Sequence, residues 1–269
     1  MTPILAISGL AADDPAFDVS DARDVAALLE AERRHFWHAT RGRIVVDRLR
    51  QLGVAAGASV LDLGCGSGSV AEVLAGAGFD VTAVDGHRAL LEVAARRDAR
   101  LTLWQHDLRR GTGELPRRDF DVVGLFDVIE HLDDPADALR GALACVRPGG
   151  FLVGTVPALM LLWSAIDAHS GHKTRYRRAS LRALLEGVEG ARVVEVAPFN
   201  RALVPLMLAQ RKVVGRRGDA ESAAANLAVP PRALNRALGA LVLAEHRARA
   251  LLDRTPIEGS SLWFALRRG

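Results

Sequence analysis

A chain of 269 residues, 49% hydrophobic and 25% charged, is long and apolar enough to bury a full core as one large α/β domain or a domain with an appendage. Its 35 Lys and Arg against 32 Asp and Glu give a net charge of +3 without a basic tract, which argues against a nucleic-acid partner. Two cysteines, Cys65 and Cys145, exclude a disulfide framework and suit the reduced thiols of a cytoplasmic protein.

The opening "MTPILAISGL" lacks a basic n-region before its apolar run, so no signal peptide is expected. From Asp21 to Leu52, Val25, Leu28, Leu29, Phe36, Ile44, Val45 and Leu49 recur at helical spacing, broken at "FWHATRG". This predicts two helices around an aromatic corner. "ASVLDLG" then reads as a buried strand, "SVAEVLAGAG" as a helix ending on Gly76 or Gly78, and "FDVTAVD" as a second strand. Strand, helix and strand in that order imply a parallel sheet. The alternation continues through a helix at 87–97, strands at 101–106 and 120–126, a helix at 135–146 opened by Asp134 and Pro135, and a strand at 151–156 after the turn "RPGG". Phe151 to Ile166 is uncharged, but it falls short of the roughly 18 residues of a membrane span and contains Gly154 and Pro157. "ARVVEVAP" and "SSLWFALRR" are two further strands, separated by a long stretch of helical periodicity from Arg201 to about Arg254. Ser180 is the expected N-cap of a helix between them and the preceding loop.

The first strand runs into "VLDLGCGSGSVAEVL", where Gly64, Gly66 and Gly68 allow a tight turn and a close ligand approach. A glycine-rich turn alone serves packing in many α/β proteins. The surrounding residues narrow the choice. Ser69 stands where a dinucleotide fingerprint wants glycine, and Asp62 at the strand end suits a cationic ligand group. Asp85 ends the second strand, where a carboxylate can accept from both ribose hydroxyls. Asp107 ends the third and could receive an adenine amino group, while Phe126 ends the fourth and could cover the ring.

With "VLDLGCGSG", "VTAVD", "QHDL", "FDVVGLFDVIEH" and "RPGG" in this order, the chain resembles the class I S-adenosylmethionine-dependent methyltransferases over about residues 55 to 156, and more loosely to the last strand. The resemblance implies an α/β, Rossmann-like, seven-stranded sheet, mostly parallel with the last strand antiparallel, and helices on both faces. The chain is expected to divide into a helical lid at 1–52, a cofactor-binding core at 53–200, a helical insertion at 201–256 and a last core strand at 257–269. The resemblance further implies S-adenosylmethionine as cofactor, S-adenosylhomocysteine as product, and a site of Arg41, Asp62, Gly64, Cys65, Gly66, Asp85, Gly86, Asp107, Leu108 and Phe126.

"DVIEH" replaces the polar residue, Pro-Pro and aromatic of methyltransferases acting on planar nitrogens, which favours a small-molecule acceptor, at an oxygen or nitrogen. It also resembles the ubiquinone-biosynthesis O-methyltransferases, some of which bind a divalent metal at the positions of Asp127, Glu130 and His131. Metal-free relatives carry the same Glu-His pair, and no metal is assigned here.

"WSAIDAHSGHKTRY", residues 163–176, follows the fifth strand and borders the crevice at the carboxyl edge of the sheet. Transfer to a hydroxyl needs a base, a role that the unperturbed pKa of histidine suits. His172, His169 and His131 are the catalytic candidates; His38, Trp163, Asp167 and Tyr176 are the acceptor-binding ones. A zinc reading of this loop alone lacks a fourth ligand, and a purely structural turn stays open. The apolar faces of "ALVPLMLAQRKVV" and "ALGALVLAEHRARALL" make the insertion an acceptor cap or a homodimer contact. A macromolecular methyltransferase and a non-catalytic cofactor-binding protein are the alternatives.

Overall fold

The computed structural model describes residues 2–7, 29–164, 167–168, 170–214 and 229–269. The strands are β1 (Ile4–Ala6), β2 (Ser59–Leu63), β3 (Asp80–Asp85), β4 (Thr102–Gln105), β5 (Phe120–Phe126), β6 (Val146–Pro157), β7 (Ala191–Phe199) and β8 (Ser261–Arg268). They form one sheet in the order β1-β4-β3-β2-β5-β6-β8-β7. All neighbours pair in parallel except β8, which runs antiparallel to both β6 and β7. The sheet therefore has eight strands, not seven. The extra one is β1, whose Ile4, Leu5 and Ala6 pair with Leu103, Trp104 and Gln105 at the edge. A half-exposed run of three residues carries no alternation for a sequence reading to detect, and only its pairing makes it a strand.

The helices are α1 (Phe36–Gln51), α2 (Ser69–Gly76), α3 (Arg88–Arg97), α4 (Pro135–Ala144), α5 (Arg178–Glu186), α6 (Leu203–Val214), α7 (Arg232–Arg247) and α8 (Arg249–Leu252). Buried Leu139 and Ala142 of α4 and Leu181 and Leu185 of α5 pack one face of the sheet, against Leu61, Phe120 and Leu152. Ile44, Val45 and Leu49 of α1, Leu74 of α2, Leu91 of α3 and Val242 of α7 pack the other, against Val60, Val122 and Trp263. Both faces being covered explains why the strands read as continuous apolar runs.

Of the expected helix pair at 21–52, residues 29–34 and α1 are helical, and 21–28 lie outside the described residues. "RPGG" falls within β6, where Gly149 takes φ +76 and a Cβ at Gly150 would meet the Asp121 carbonyl oxygen at 2.7 Å. Helix α5 starts two residues before Ser180, whose Oγ accepts from the Arg177 N–H at 3.0 Å, so Ser180 sits inside the first turn. Helix α7 is tied to α1: Asn235 Oδ1 accepts from the Phe36 N–H at 2.9 Å and its Nδ2 donates to the Arg34 carbonyl at 2.7 Å. A residue two hundred positions away thus caps an orphan donor of α1. Among the described residues no helix is long and apolar enough to cross a membrane.

Candidate functional site

The strand order reverses at β2, flanked by β3 and β5, and the loops leaving these strands at their carboxyl ends border one crevice. In the first loop, Gly64, Gly66 and Gly68 all have positive φ, at +76, +55 and +77. Two serve packing: a Cβ at Gly64 would lie 2.7 Å from Val128 Cγ2, and one at Gly68 2.7 Å from Ala94 Cβ. A Cβ at Gly66 would meet nothing within 4 Å, so this glycine leaves backbone open to a ligand.

Asp62, at 1% exposure, keeps Oδ2 without a partner. Burial pushes its carboxyl up to about 7; Arg41 opposes the shift and Asp85 adds to it. Burial likewise pushes the Cys65 thiol well up, leaving it a neutral neighbour of the loop. Asp85 accepts from the Gly66 N–H at 2.8 Å with one oxygen, and from the His87 N–H at 2.8 Å with the other. It thereby braces the glycine loop and His87. The Gly86 carbonyl accepts from Gln105 Nε2 at 3.1 Å, which fixes the backbone behind Asp85. Asp107 caps the short turn 108–110, opened by half-buried Leu108, and both its oxygens hold Arg109, at 2.9 and 3.1 Å from Nε. Phe126 is 5% exposed within the core on the α1 side, with its ring against the position a Cβ of Gly124 would fill.

Arg41 reaches this crevice from α1 and pairs with Asp127, while its Nε is buried without a partner. Asp127 has φ +58; Thr155 Oγ1 donates to it at 3.0 Å and its N–H donates to the Thr155 carbonyl at 2.9 Å. The unpartnered Asp62 oxygen, the unpartnered Arg41 nitrogen and the open Gly66 backbone fit the ammonium, carboxylate and methionyl chain of S-adenosylmethionine.

Beyond Asp127, Glu130 is fully buried with both carboxylate oxygens unpartnered, and burial followed by the nearby Asp127 charge raises its pKa well above the ordinary range. Its carbonyl accepts from the Lys173 N–H at 2.7 Å, which stitches this turn to the 163–176 loop. His131 and His172 meet edge to face with ring centroids 4.7 Å apart. Glu130, His131 and His172 each present a ligand atom within 4.8 Å of the other two. Asp127 is not part of this group.

In the loop, Asp167 is fully buried. It accepts from the Ser164 N–H at 2.7 Å, Ser164 Oγ at 2.9 Å and Arg175 Nε at 2.7 Å, and its Oδ1 lies 3.0 Å from His172 Nδ1. These donors outweigh its burial and hold its carboxyl well below the usual range. Asp167 therefore organises the loop rather than facing an acceptor. Tyr176 is not on the pocket surface either: it is buried, its hydroxyl donates to the Ile129 carbonyl at 3.4 Å, and burial followed by the Glu130 charge raises it to about 12. The four residues expected to carry it round a helical turn from His172 are not helical; α5 begins only at Arg178. Trp163 is half-buried beside the loop, and His169 lies outside the described residues. His38, on α1, keeps Nδ1 unpartnered and is pushed down to about 3 by burial and then by Arg41.

Glu32, in the helical turn before α1, accepts from Ser67 of the glycine loop and from Arg97 Nη2 at 2.5 Å; Arg97 also reaches Glu72 at 3.2 Å. The segment before α1 is thus bolted to the loop by a nearly dry ion pair. Partners 35 and 65 positions from Glu32 gave the sequence no local signal.

A family model described as "Methyltransferase domain" matches residues 36–196, well over half the chain. The mitochondrial ubiquinone biosynthesis O-methyltransferase of Schizosaccharomyces pombe is 34% identical over 126 residues, 44% of this chain and 45% of that protein. The ubiquinone biosynthesis O-methyltransferase of Caulobacter vibrioides is 36% identical over 172 residues, 56% of this chain and 65% of that one. The match thus spans about half the length of these relatives. A SAM-dependent methyltransferase from Archaeoglobus fulgidus shares the fold at a TM-score of 0.53 and 18% identity, over 84% of this chain and 94% of that one. The ordered glycine loop, the acidic strand ends and the matched domain together place this chain in the class I S-adenosylmethionine-dependent methyltransferase family.

Proposed function

We propose that the protein transfers the methyl group of S-adenosylmethionine to a hydroxyl oxygen of a small-molecule acceptor. The observation that carries this reading is a loop after β6 that delivers His172, fixed by Asp167, beside Glu130 and His131 of the turn after β5. The cofactor supplies a methyl group on a positively charged sulfur, which leaves without help. The chain's residues align it and deal with the acceptor. Asp62 meets the ammonium, Arg41 turns from Asp127 toward the carboxylate, and Asp85 accepts from the ribose hydroxyls while still bracing Gly66. Asp167 occupies His172 Nδ1, so the nitrogen left to face the acceptor end is Nε2. Half-buried Trp163 and His38 are assigned to the acceptor walls, and a cytoplasmic location suits such a reaction. The ubiquinone biosynthesis names of the relatives support an oxygen acceptor over a nitrogen one.

The segment through α1 and the insertion act as one lid in this reading, because Asn235 joins α7 to α1 and Glu32 joins the preceding turn to Ser67. The insertion leaves Leu206, Leu234, Leu241 and Leu251 exposed, which fits an acceptor cap or a dimer contact. Glu32→Gln should loosen the lid at a cost of about 1–3 kcal/mol, since Arg97 keeps Glu72 but loses its drier partner. Stopped-flow displacement of S-adenosylhomocysteine should then show faster release with an unchanged acceptor KM; an unchanged release rate would remove Glu32 from lid closure.

Asp85→Ala should weaken cofactor binding by about 1.5–3 kcal/mol for each charged hydrogen bond to the ribose. Calorimetric titration with S-adenosylhomocysteine checks it, and wild-type affinity in the variant would take Asp85 out of the ribose site. Methyl transfer from labelled cofactor into the small molecules of a cell extract tests the whole reading.

A further inference from the structure

We propose that the cavity between the carboxyl end of α1, the edge strand β7 and the start of α8 binds one small oxyanion, a phosphate or a carboxylate, held by Arg48 and Arg249. The cavity measures about 250 Å3 and is lined by Arg48, Gln51, Leu52, Val194, Glu195 and Arg249. It is separate from the crevice at Gly66: Arg41 and Arg48 both lie on α1, about two turns apart, which puts Arg48 about 10 Å further along the helix axis. Its size, below the roughly 300–1,000 Å3 of pockets for drug-sized ligands, suits a ligand of few atoms. Val194 and Glu195 reach it from β7, where the pairing with β8 slips between Val193 and Glu195. Slips of this kind re-aim side chains at the edge of a sheet.

Arg48 carries the argument. It is 2% exposed, its ion pair with Glu195 at 2.6 Å uses Nη1, and its Nε is buried with no partner. A buried guanidinium N–H without an acceptor costs free energy until an acceptor completes it. The charge is under-compensated as well. Burial lowers the Arg48 pKa from its usual value, Glu195 offsets part of that, and Arg249 adds to the lowering. Arg249 itself gives Nη2 to the side-chain oxygen of Gln51, a neutral acceptor. Two guanidinium groups thus share one carboxylate across the cavity. An oxyanion supplies both what is missing in charge and the acceptor atoms that guanidinium groups bind in a fork.

The neighbouring groups leave that excess in place. Asp253 is taken by Arg201 Nη2 at 2.6 Å, and Asp47 faces His246 Nε2 at 3.6 Å. His246, whose Nδ1 is a second buried nitrogen without a partner, is pushed down to about 4 by burial and then by Arg48, so it stays neutral near pH 7. One effect opposes an anion: the carboxyl end of α1 lies at Gln51 and carries the negative end of the helix dipole, equivalent to roughly half a charge. Two full guanidinium charges in one small cavity outweigh it. A bound oxyanion would join α1 and α8 to the sheet edge, at the end of α1 opposite the one that Asn235 caps.

Calorimetric titration of the full-length protein in a chloride buffer tests this, with inorganic phosphate in one arm and succinate in the other. Expected is one equivalent of bound anion in at least one arm, and the tighter arm identifies the source of the oxyanion. Arg249→Ala should weaken that binding about ten- to a hundredfold, the worth of a charged hydrogen bond. Arg48→Lys, which keeps the charge but loses the planar fork, should weaken it as well. Glu195→Gln should do the reverse: with the competing carboxylate gone the anion should bind about threefold tighter or more, and should raise the melting temperature of this variant more than that of wild type. A cooperative thermal melt reports the folding of each variant. Saturating S-adenosylhomocysteine, and Arg41→Ala, should leave anion affinity unchanged. No bound anion in either arm would overturn the proposal, as would binding that Arg249→Ala leaves intact or that Glu195→Gln weakens. Competition with S-adenosylhomocysteine, or loss of binding in Arg41→Ala, would place the anion in the crevice instead and would equally overturn it, without touching the methyltransferase reading.

Discussion

His172→Ala is expected to lower methyl transfer about a hundred- to ten-thousand-fold, the usual worth of a group that handles the proton at a reacting oxygen. Affinity for S-adenosylhomocysteine should stay near that of wild type. The expectation comes from geometry. Asp167 is buried, and besides His172 it is saturated by Ser164 and Arg175, so the imidazole is held in one orientation with one nitrogen free. That nitrogen meets the acceptor's proton; alanine removes it and leaves Asp62, Gly66 and Asp85 untouched. Single-turnover kinetics with labelled cofactor, beside calorimetry, separates the two effects. Wild-type rates in the variant would return the 163–176 loop to the status of a structural turn.

Asp62→Asn is expected to stabilise the cofactor-free protein and to cripple cofactor binding at the same time. Burial raises the folded-state pKa of Asp62 from 3.8 to about 7. A raised carboxyl pKa means that the folded chain holds a proton which the unfolded chain releases. Stability from this group is therefore present below about pH 4, falls as pH rises, and is lost above about pH 7. About three pKa units correspond to a few kcal/mol at pH 8. Asparagine, always neutral, avoids that cost. Denaturant melts should show the variant more stable than wild type at pH 8, with the gap closing toward pH 4.5. Cofactor binding has the opposite sign, because the methionyl ammonium needs the ionised carboxylate: wild-type Kd should rise as pH falls below about 7, approaching tenfold per unit. A variant less stable than wild type at pH 8, or a cofactor Kd flat between pH 5.5 and 7, would contradict this account of Asp62.

Much of the fold was legible because its signals are local. The runs "SVLDL" and "FDVVGLF" are apolar without alternation, as strands covered on both faces must be, and β2 and β5 lie there. Asp134 and Pro135 opened α4 as expected, with Asp134 Oδ1 accepting from the Asp137 N–H at 2.9 Å. The glycine loop was legible as a turn, but not which glycine does what: Gly64 and Gly68 make room for Val128 and Ala94, and Gly66 alone leaves its backbone open. That division depends on neighbours distant in sequence. Strand β1 escaped for the same reason, as did the Glu32 clasp and the Asn235 cap.

The acceptor end was half legible. His172 and Asp167 were singled out by spacing within one loop, and they are indeed paired. Periodicity within fourteen residues cannot show that Glu130 and His131 arrive beside His172 from another strand end. Tyr176 misled because a helix was assumed to begin before it; the chain instead pairs with β6 there, through the Tyr176 N–H to the Pro157 carbonyl at 2.9 Å, and the ring turns into the core. The direction of the Phe126 ring was likewise not legible. A strand-end aromatic can face the ligand or the sheet, and Gly124 opens a slot that the ring fills.

The central claim is that this site methylates a small molecule, and one measurement reaches it most directly. The purified protein is incubated with S-adenosylmethionine labelled in the methyl group and a metabolite extract, and the products are separated by size. The account predicts label in a low-mass, organic-extractable product, formed with one S-adenosylhomocysteine per methyl transferred and lost in Asp62→Asn and His172→Ala. Label confined to protein or RNA, or binding of the cofactor without transfer to any fraction, would contradict it.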